Sequence, residues 1–206
     1  GKSKFFYPII PIKDISLSVK INSLNLYILC VSHLYPYKNI IRLLKAFKLA
    51  LNTEIIDLKL VLAGSRKFKH YNEEILNTVT HLSLEEYVIF LGSVSKEDLR
   101  YLYSNCLFLI FPSPFENFAY TLVEAMCCGA PIICANTTAM PETCQEAAVY
   151  FDPDNTNELA EKIELLLDNE ELRISLKQKS LNRVKELPDY KDVTHQVYRI
   201  MLDLVK

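Results

Sequence analysis

Short apolar runs alternate with amphipathic segments along most of this chain, and that alternation is the strongest constraint on its fold. Each run is apolar throughout, which is typical of strands buried on both faces. The intervening segments repeat their apolar residues at helical spacing, as at Ile40, Leu43, Leu44, Phe47 and Leu51. Buried strands joined by helices form a parallel sheet, and right-handed connections make it doubly wound. The predicted strands are residues 24–31, 59–63, 88–91, 107–111, 132–135 and 147–151.

The expected fold is therefore an α/β, Rossmann-like, doubly wound sheet of about six strands with extra helices at its C-terminal end. Residues 24–188 should form this domain, residues 1–23 a linker or edge segment, and residues 189–206 a final helix. Ser95 should cap one helix, with Asp98 completing an approximate capping box. The predicted helices before the final one are residues 39–51, 71–82, 95–103, 118–127, 155–167 and 171–186.

Composition and charge narrow the function classes. The 206 residues suffice for one domain, and the formal net charge of −2 gives no field that favours nucleic acid, so no nucleic-acid partner is expected. The six cysteines form no CxxC pair, and most lie in apolar segments. That placement favours packing roles in a reducing compartment over a zinc site. Histidine and acidic residues show no metal-ligand spacing, so no metal is expected either.

Two glutamates stand where a doubly wound sheet binds its ligands, beyond the carboxyl ends of the strands. Glu116 follows the strand at 107–111, and Glu124 lies inside the next predicted helix. The first N–H groups of that helix would attract a phosphate. One carboxylate could then accept hydrogen bonds from a sugar, and the other from both hydroxyls of a ribose. Taken alone, Glu116 also fits a helix cap and Glu124 an exposed helix residue.

The sequence around these glutamates resembles a known family. The spacing of Glu116 and Glu124 resembles the paired-glutamate motif of the retaining glycosyl transferases of group 1. The segments EAMCCGAPII, NTTAMPE and AAVYFDP follow in the family's order, and the upstream segment VSHLYPYKN is similar to its first loop. The resemblance covers residues 24–186. It implies the C-terminal, donor-binding domain of a glycosyltransferase with the two-domain GT-B architecture.

The resemblance also implies roles for individual residues. Lys38 would contact the donor diphosphate and offset the charge on the leaving nucleotide. Glu116 would lie near the donor sugar and form the catalytic pair with Lys38, while Glu124 would bind the ribose. Val94 would lie near the base. The helix-start residues that approach the diphosphate and the sugar would be Asn117, Phe118, Ala119 and Tyr120.

Two positions depart from the family's pattern. His33 stands where the family usually has arginine. Arginine is permanently charged, whereas histidine in general loses its charge above about pH 6.5. Phosphate binding would therefore be weaker or pH-dependent, or Arg66 and Lys67 would compensate, and His33 fits an ordinary loop role equally well. Ala119 replaces a frequent glycine, and its methyl group would narrow the approach to the sugar.

The expected function is transfer of a hexose from a nucleoside diphosphate sugar to an acceptor hydroxyl, with retention of configuration and without a metal. An N-terminal domain, in cis or as a separate chain, would complete the acceptor pocket, and the helix at 189–206 would pack on it. The family suggests polysaccharide biosynthesis and a cytoplasmic location, at the inner face of the membrane if the N-terminal domain associates peripherally with lipid. The alternatives are a non-catalytic nucleotide-sugar-binding or interaction module and a sugar-nucleotide epimerase or phosphorylase of the same architecture.

Overall fold

In a computed structural model of the protein, the described residues, 24–51 and 57–187, form a six-stranded parallel sheet with helical connections. The strands are β1 (Leu26–Val31), β2 (Leu58–Ala63), β3 (Val88–Gly92), β4 (Phe108–Phe111), β5 (Ile132–Ala135) and β6 (Ala148–Phe151). Their order across the sheet is β3-β2-β1-β4-β5-β6, and every pairing is parallel. The Rossmann-like α/β fold predicted from the sequence is confirmed.

The described residues also contain seven α-helices, which connect the strands and continue beyond the sheet. Two short 3-10 turns also occur: Pro36–Lys38 lies just before the first helix, and Gln145–Ala147 directly follows the fifth. The helices are α1 (Ile40–Ala50), α2 (Lys69–His81), α3 (Lys96–Asn105), α4 (Tyr120–Cys127), α5 (Met140–Cys144), α6 (Thr156–Asp168) and α7 (Glu170–Glu186).

The apolar pattern places each element against a common core. On α1, Ile40, Leu43, Leu44 and Phe47 are fully buried, as their helical spacing predicts. Burying a side chain of this size contributes about 1.5–3 kcal/mol, so burial of this apolar face holds the helix against the core. Leu51, predicted on the same face, lies one residue past the helix in extended backbone, because α1 ends at Ala50.

Side-chain caps set several helix starts. Ser95 caps α3 as predicted, because its hydroxyl accepts a hydrogen bond from the Asp98 N–H at 3.0 Å. Asn155 caps α6 in the same way, accepting from the Glu158 N–H at 3.1 Å. Such a cap typically contributes about 1 kcal/mol and gives the sequence a readable start signal.

Several local predictions differ from the structure: β1 begins two residues later than predicted, α2 begins two residues earlier, and α3 ends two residues later. Helix α4 begins at Tyr120, two residues after the predicted start at 118, since Ala119 at its N-cap offers no capping side chain and the sequence carries no start signal there. The short helix α5 was predicted as loop, because five residues are too few for apolar periodicity. The predicted segments at 1–23 and 189–206 lie outside the described residues.

Helix α7, the last one in the described residues, is held by hydrogen bonds to the segments on either side of β5. The buried Ser180 hydroxyl donates to the Ala130 carbonyl at 3.0 Å. Arg183 donates to the carbonyls of Glu142 and Thr143 at 2.9 and 3.0 Å. Helix α7 therefore holds α5 in place, and α5 directly follows the loop that leaves β5.

Candidate functional site

The strand order creates a crevice between β1 and β4. The chain proceeds from β1 outward to β2 and β3, and then returns so that β4, β5 and β6 extend the sheet in the opposite direction. The loops that follow the neighbouring strands β1 and β4 therefore lead away from each other, toward opposite edges of the sheet. Crevices at such switch points are where open parallel sheets bind their ligands.

Backbone hydrogen bonds fix the wall of the crevice on the β1 side. The Ser32 N–H donates to the Ala63 carbonyl at 2.9 Å, and the Gly64 N–H donates to the Gly92 carbonyl at 2.7 Å. Gly64 has a φ of 145°, and a Cβ atom there would lie 2.0 Å from the Ser32 carbonyl oxygen. This close approach of two loops therefore requires glycine.

The turn after β1 aims Lys38 into the crevice. Proline at the first position of the 3-10 turn, Pro36, pre-sets its backbone, and the Lys38 N–H donates to the Tyr35 carbonyl at 2.9 Å. Asn39 then takes the left-handed conformation, with a φ of 60°, and its amide donates to the Pro153 carbonyl at 3.0 Å. These contacts determine where the Lys38 side chain leaves the backbone.

Hydroxyl groups fix the wall on the β4 side. The Thr137 hydroxyl donates to the Pro114 carbonyl at 2.9 Å, and the Thr138 hydroxyl accepts from the Glu116 N–H at 3.2 Å. Both threonines belong to the loop after β5. The Ser113 hydroxyl donates to the Phe115 carbonyl at 3.2 Å within the β4 loop itself. The loop that carries Glu116 is thus supported by the loop of the next strand.

The two walls meet in an ion pair. The Lys38 ammonium contacts Glu116 Oε1, although the residues are 78 positions apart, and the side chains are 13% and 16% exposed. The ammonium also lies 4.9 Å from the ring centre of Tyr37 and 5.8 Å from that of Phe111. Burial raises the pKa of the Cys30 thiol to about 12, and the nearby Lys38 charge partly opposes that shift. Lys38 therefore supplies positive charge at the carboxyl end of β1.

Glu124 lies on α4, beyond the ion pair. Its side chain is exposed, and its Oε2 accepts a hydrogen bond from the hydroxyl of the buried Tyr103 at 3.2 Å. The pKa of Tyr103 is raised, first by burial and then by the Glu124 charge. The Tyr103 hydroxyl therefore keeps its proton and donates a hydrogen bond to this carboxylate.

The predicted helix-start residues lie on the approach to α4. Ala119 is buried at the N-cap, while Asn117, Phe118 and Tyr120 are exposed. The rings of Phe118 and Tyr120 meet edge to face with their centres 4.6 Å apart. Ala119 is 2% exposed, so its methyl group is packed against neighbouring residues.

The remaining predicted residues lie on the loops of β1, β2 and β3. His33 is exposed, with its ring edge-on to Tyr35 at 6.2 Å. The Arg66 guanidinium lies 5.0 Å from the centre of the Phe90 ring, and Val94 is partly buried against the core. Within residues 24–51 and 57–187, no hydrogen bond or ion pair joins these three side chains to Lys38 or Glu116.

Tyr103 and Thr138 are the functional candidates that the sequence did not reveal. Tyr103 occupies a core-facing helix position, and nothing in the local pattern distinguishes its hydroxyl from an ordinary buried one. Thr138 lies in the NTTAMPE segment, which belongs to the family resemblance, but its bond to the Glu116 N–H depends on the packing of two loops. Both contacts follow from tertiary structure.

In the described part of the chain, no group of three or more His, Cys, Asp or Glu side chains is arranged to hold a metal ion. No helix in the same residues is long and apolar enough to cross a bilayer.

Comparisons with known proteins agree with this architecture. The family profile "Glycosyl transferases group 1" matches residues 12–183. The O-antigen chain mannosyltransferase B of Escherichia coli is 30% identical over 160 residues, covering 78% of this chain and 42% of that enzyme. The crystal structure of Anabaena Alr3699/HepE with UDP and glucose superposes with a TM-score of 0.78 at 22% identity, covering 90% of this chain and 50% of that one. The C-terminal domain of LpcC from Francisella tularensis, a glycosyl transferase group 1 family protein, gives a TM-score of 0.69 at 20% identity, covering 78% of this chain and 85% of that domain.

The sheet order, the crevice and these similarities define the C-terminal domain of a GT-B glycosyltransferase. The chain belongs to the glycosyl transferases group 1 family. It spans less than half the length of the mannosyltransferase that it resembles.

Proposed function

We propose that this chain is the donor-binding half of a retaining hexosyltransferase that uses a nucleoside diphosphate sugar. The observation that carries the proposal is the meeting of Lys38 and Glu116 at the switch point between β1 and β4. A cation and a carboxylate held together there provide one group for a diphosphate and one for a sugar hydroxyl. The HepE structure, which contains UDP and glucose, supports this class of ligand by its shared fold.

In the proposed complex, Lys38 binds the diphosphate and stabilises the negative charge that develops on the leaving nucleotide. Glu116 accepts hydrogen bonds from the donor sugar, and Glu124 from the ribose. His33 and Arg66 add positive charge on the β1 and β2 loops, and the base lies near Val94. The backbone and side chains that approach the diphosphate and the sugar are those of Asn117, Phe118, Ala119 and Tyr120.

The proposed reaction needs a second domain. An N-terminal domain, in cis or on a separate chain, supplies the acceptor pocket, and residues 24–188 hold the donor. Residues 1–23 link the two parts, and the helix proposed at 189–206 packs on the N-terminal domain. The similarity to an O-antigen mannosyltransferase supports polysaccharide assembly as the process. All six cysteines are unpaired, which supports a reducing, cytoplasmic location, with membrane contact made through the N-terminal domain.

Calorimetric titration of the chain with UDP, GDP, ADP and pyrophosphate tests the donor site. We expect one of the nucleotides to bind, and Glu124→Ala to weaken that binding by about tenfold or more, because the lost hydrogen bonds are to a charged group. Pyrophosphate has no ribose, so its affinity should stay unchanged. Glu161→Ala, at an exposed glutamate of α6, is the matched control and should change neither affinity.

Two results would contradict the proposal. No binding of any nucleotide to a folded sample removes the donor site. Equal weakening of nucleotide and pyrophosphate binding by Glu124→Ala removes the ribose role of Glu124, because the carboxylate would then act through the phosphates. Retention is tested separately, by the anomeric configuration of the product formed when the chain is combined with its N-terminal domain.

A further inference from the structure

The hydroxyl of Tyr103 has one described role, and that role is to hold Glu124. The residue is 2% exposed, and its hydroxyl lies 3.2 Å from Glu124 Oε2. A buried phenol without a partner loses the hydrogen bonds that it would make to water. The packing of the ring and the hydrogen bond of the hydroxyl therefore together determine where this carboxylate oxygen lies.

The support beneath Tyr103 is rigid. Tyr27, a fully buried residue of β1, donates through its hydroxyl to the Leu102 carbonyl at 2.9 Å. The Cys106 thiol donates to the Tyr103 carbonyl at 3.4 Å. The last turn of α3 is thus tied to β1 through Leu102, and Cys106, the C-cap residue of α3, bonds back to Tyr103. A donor fixed in this way restricts its acceptor more than a donor on a mobile loop would.

Without a partner, the Glu124 side chain would be free to change rotamer, and the hydrogen bond from Tyr103 restricts that freedom. This side chain is exposed on α4, where a glutamate populates several rotamers in the absence of a partner. The bond from Tyr103 uses one lone pair of Oε2, so Oε1 and the remaining lone pairs can accept other hydrogen bonds. A carboxylate held in one orientation can accept two neighbouring hydroxyl groups at once without a further loss of side-chain entropy.

We propose that Tyr103 is a positioning residue whose hydroxyl orients the Glu124 carboxylate to accept both ribose hydroxyls of the bound nucleotide. The inference rests on the proposed donor site and adds to it the buried residue on which ribose recognition depends. Tyr103 does not touch the nucleotide. It acts through Glu124.

The test compares a nucleoside diphosphate with its 2′-deoxy analogue, using whichever of UDP, GDP and ADP binds most tightly. The native chain should favour the ribonucleotide by about tenfold, the value of one good hydrogen bond to a charged group. Tyr103→Phe keeps the ring and removes the donor, and the preference should fall to about twofold. Pyrophosphate affinity should be unchanged in that variant.

Tyr27→Phe is the matched control, because it removes an equally buried hydroxyl that bonds to the neighbouring residue Leu102. This variant should lose stability and keep the full preference for the ribonucleotide. Replacement of Tyr103 by 4-aminophenylalanine, whose N–H can donate in place of the hydroxyl, should restore the preference. That variant also keeps the inference testable if Tyr103→Phe does not fold.

Absence of nucleotide binding in the native chain overturns the proposed donor site and this inference with it. Nucleotide binding without any ribose preference leaves the donor site standing, but it overturns the ribose role of Glu124 and therefore this inference. A native preference that persists in Tyr103→Phe overturns the inference alone. A preference lost equally in Tyr27→Phe also overturns it, because the effect would then come from general loosening of α3.

Discussion

Replacing Glu116 by glutamine should separate two contacts of Lys38: its ion pair with Glu116 in the unliganded protein, and its proposed contact with the diphosphate in the complex. The Lys38 ammonium contacts Glu116 Oε1, so a diphosphate that binds Lys38 must compete with that carboxylate. Glutamine keeps the shape of the side chain and removes its charge. We therefore expect Glu116→Gln to destabilise the fold and, at the same time, to strengthen the binding of a nucleoside diphosphate that carries no sugar.

The magnitude follows from the burial of the pair. Exposed ion pairs contribute about 0.2–1 kcal/mol, whereas removing one partner from a fully buried pair costs about 3–5 kcal/mol. With side chains 13% and 16% exposed, this pair lies between these limits. The free energy of unfolding should therefore fall by about 1–3 kcal/mol, after allowance for partial solvent screening. Because Lys38 no longer has to leave Glu116, the binding free energy of the diphosphate should become about 1 kcal/mol more favourable, which is roughly a fivefold gain in affinity.

The assay is chemical unfolding together with calorimetric titration of the nucleoside diphosphate and the corresponding nucleotide sugar. The sugar-bearing ligand should gain less than the plain diphosphate, because it also loses the Glu116 contact. Asp154→Asn is the control: it breaks the pair with Arg42, whose N–O distance is 3.0 Å and whose carboxylate is 85% exposed. The control should change neither quantity appreciably. Unchanged diphosphate affinity in Glu116→Gln would refute the assignment of Lys38 to the diphosphate.

Two further predictions address the β1 side of the crevice. His33→Arg should strengthen diphosphate binding at pH 8 by about two- to tenfold, since arginine is charged there and a typical histidine is not; unchanged titrations at that pH would exclude the exposed His33 side chain from the site. Gly64→Ala should lower the free energy of unfolding by about 3 kcal/mol or more, because its Cβ would lie 2.0 Å from the Ser32 carbonyl oxygen. Gly92→Ala, with a φ of 72° and open space around the added carbon, should cost about 1–2 kcal/mol in the same denaturant titration. Equal losses in the two glycine variants would show that the close approach at Gly64 is unimportant.

Periodicity predicted the elements of this fold well, because burial on a sheet is recorded directly in the spacing of apolar residues. The strand at Ile132–Ala135 matches its prediction at both ends, and helices α6 and α7 differ from theirs by at most one residue at each boundary. Where a capping side chain exists, as at Ser95, the start of the helix was also predicted. Where none exists, as at Ala119, the start was placed two residues early.

The candidate site was predicted less completely, because its contacts join distant parts of the chain. The two glutamates were singled out by their position beyond the fourth strand and by the family resemblance, and Lys38 was singled out by the resemblance. The ion pair between Lys38 and Glu116 required that β1 and β4 be neighbours, and strand order is not written in local periodicity. The bond from Tyr103 to Glu124 likewise needed the relative placement of α3 and α4.

The two walls of the crevice are held by different kinds of contact, and this difference matters for how the site can change. The β1 wall depends on backbone hydrogen bonds and on the absence of a side chain at Gly64, and the Asn39 amide adds a side-chain contact where Lys38 leaves the backbone. The β4 wall depends on the hydroxyl groups of Thr137 and Thr138, which individual substitutions can remove. Lys38 and Glu116 join the walls as opposite charges, so neither is left buried alone before a donor binds. In the proposed complex, a diphosphate bound to Lys38 would supply the negative charge that Glu116 supplies now, and the Glu116 carboxylate would then be free to accept hydrogen bonds from the sugar.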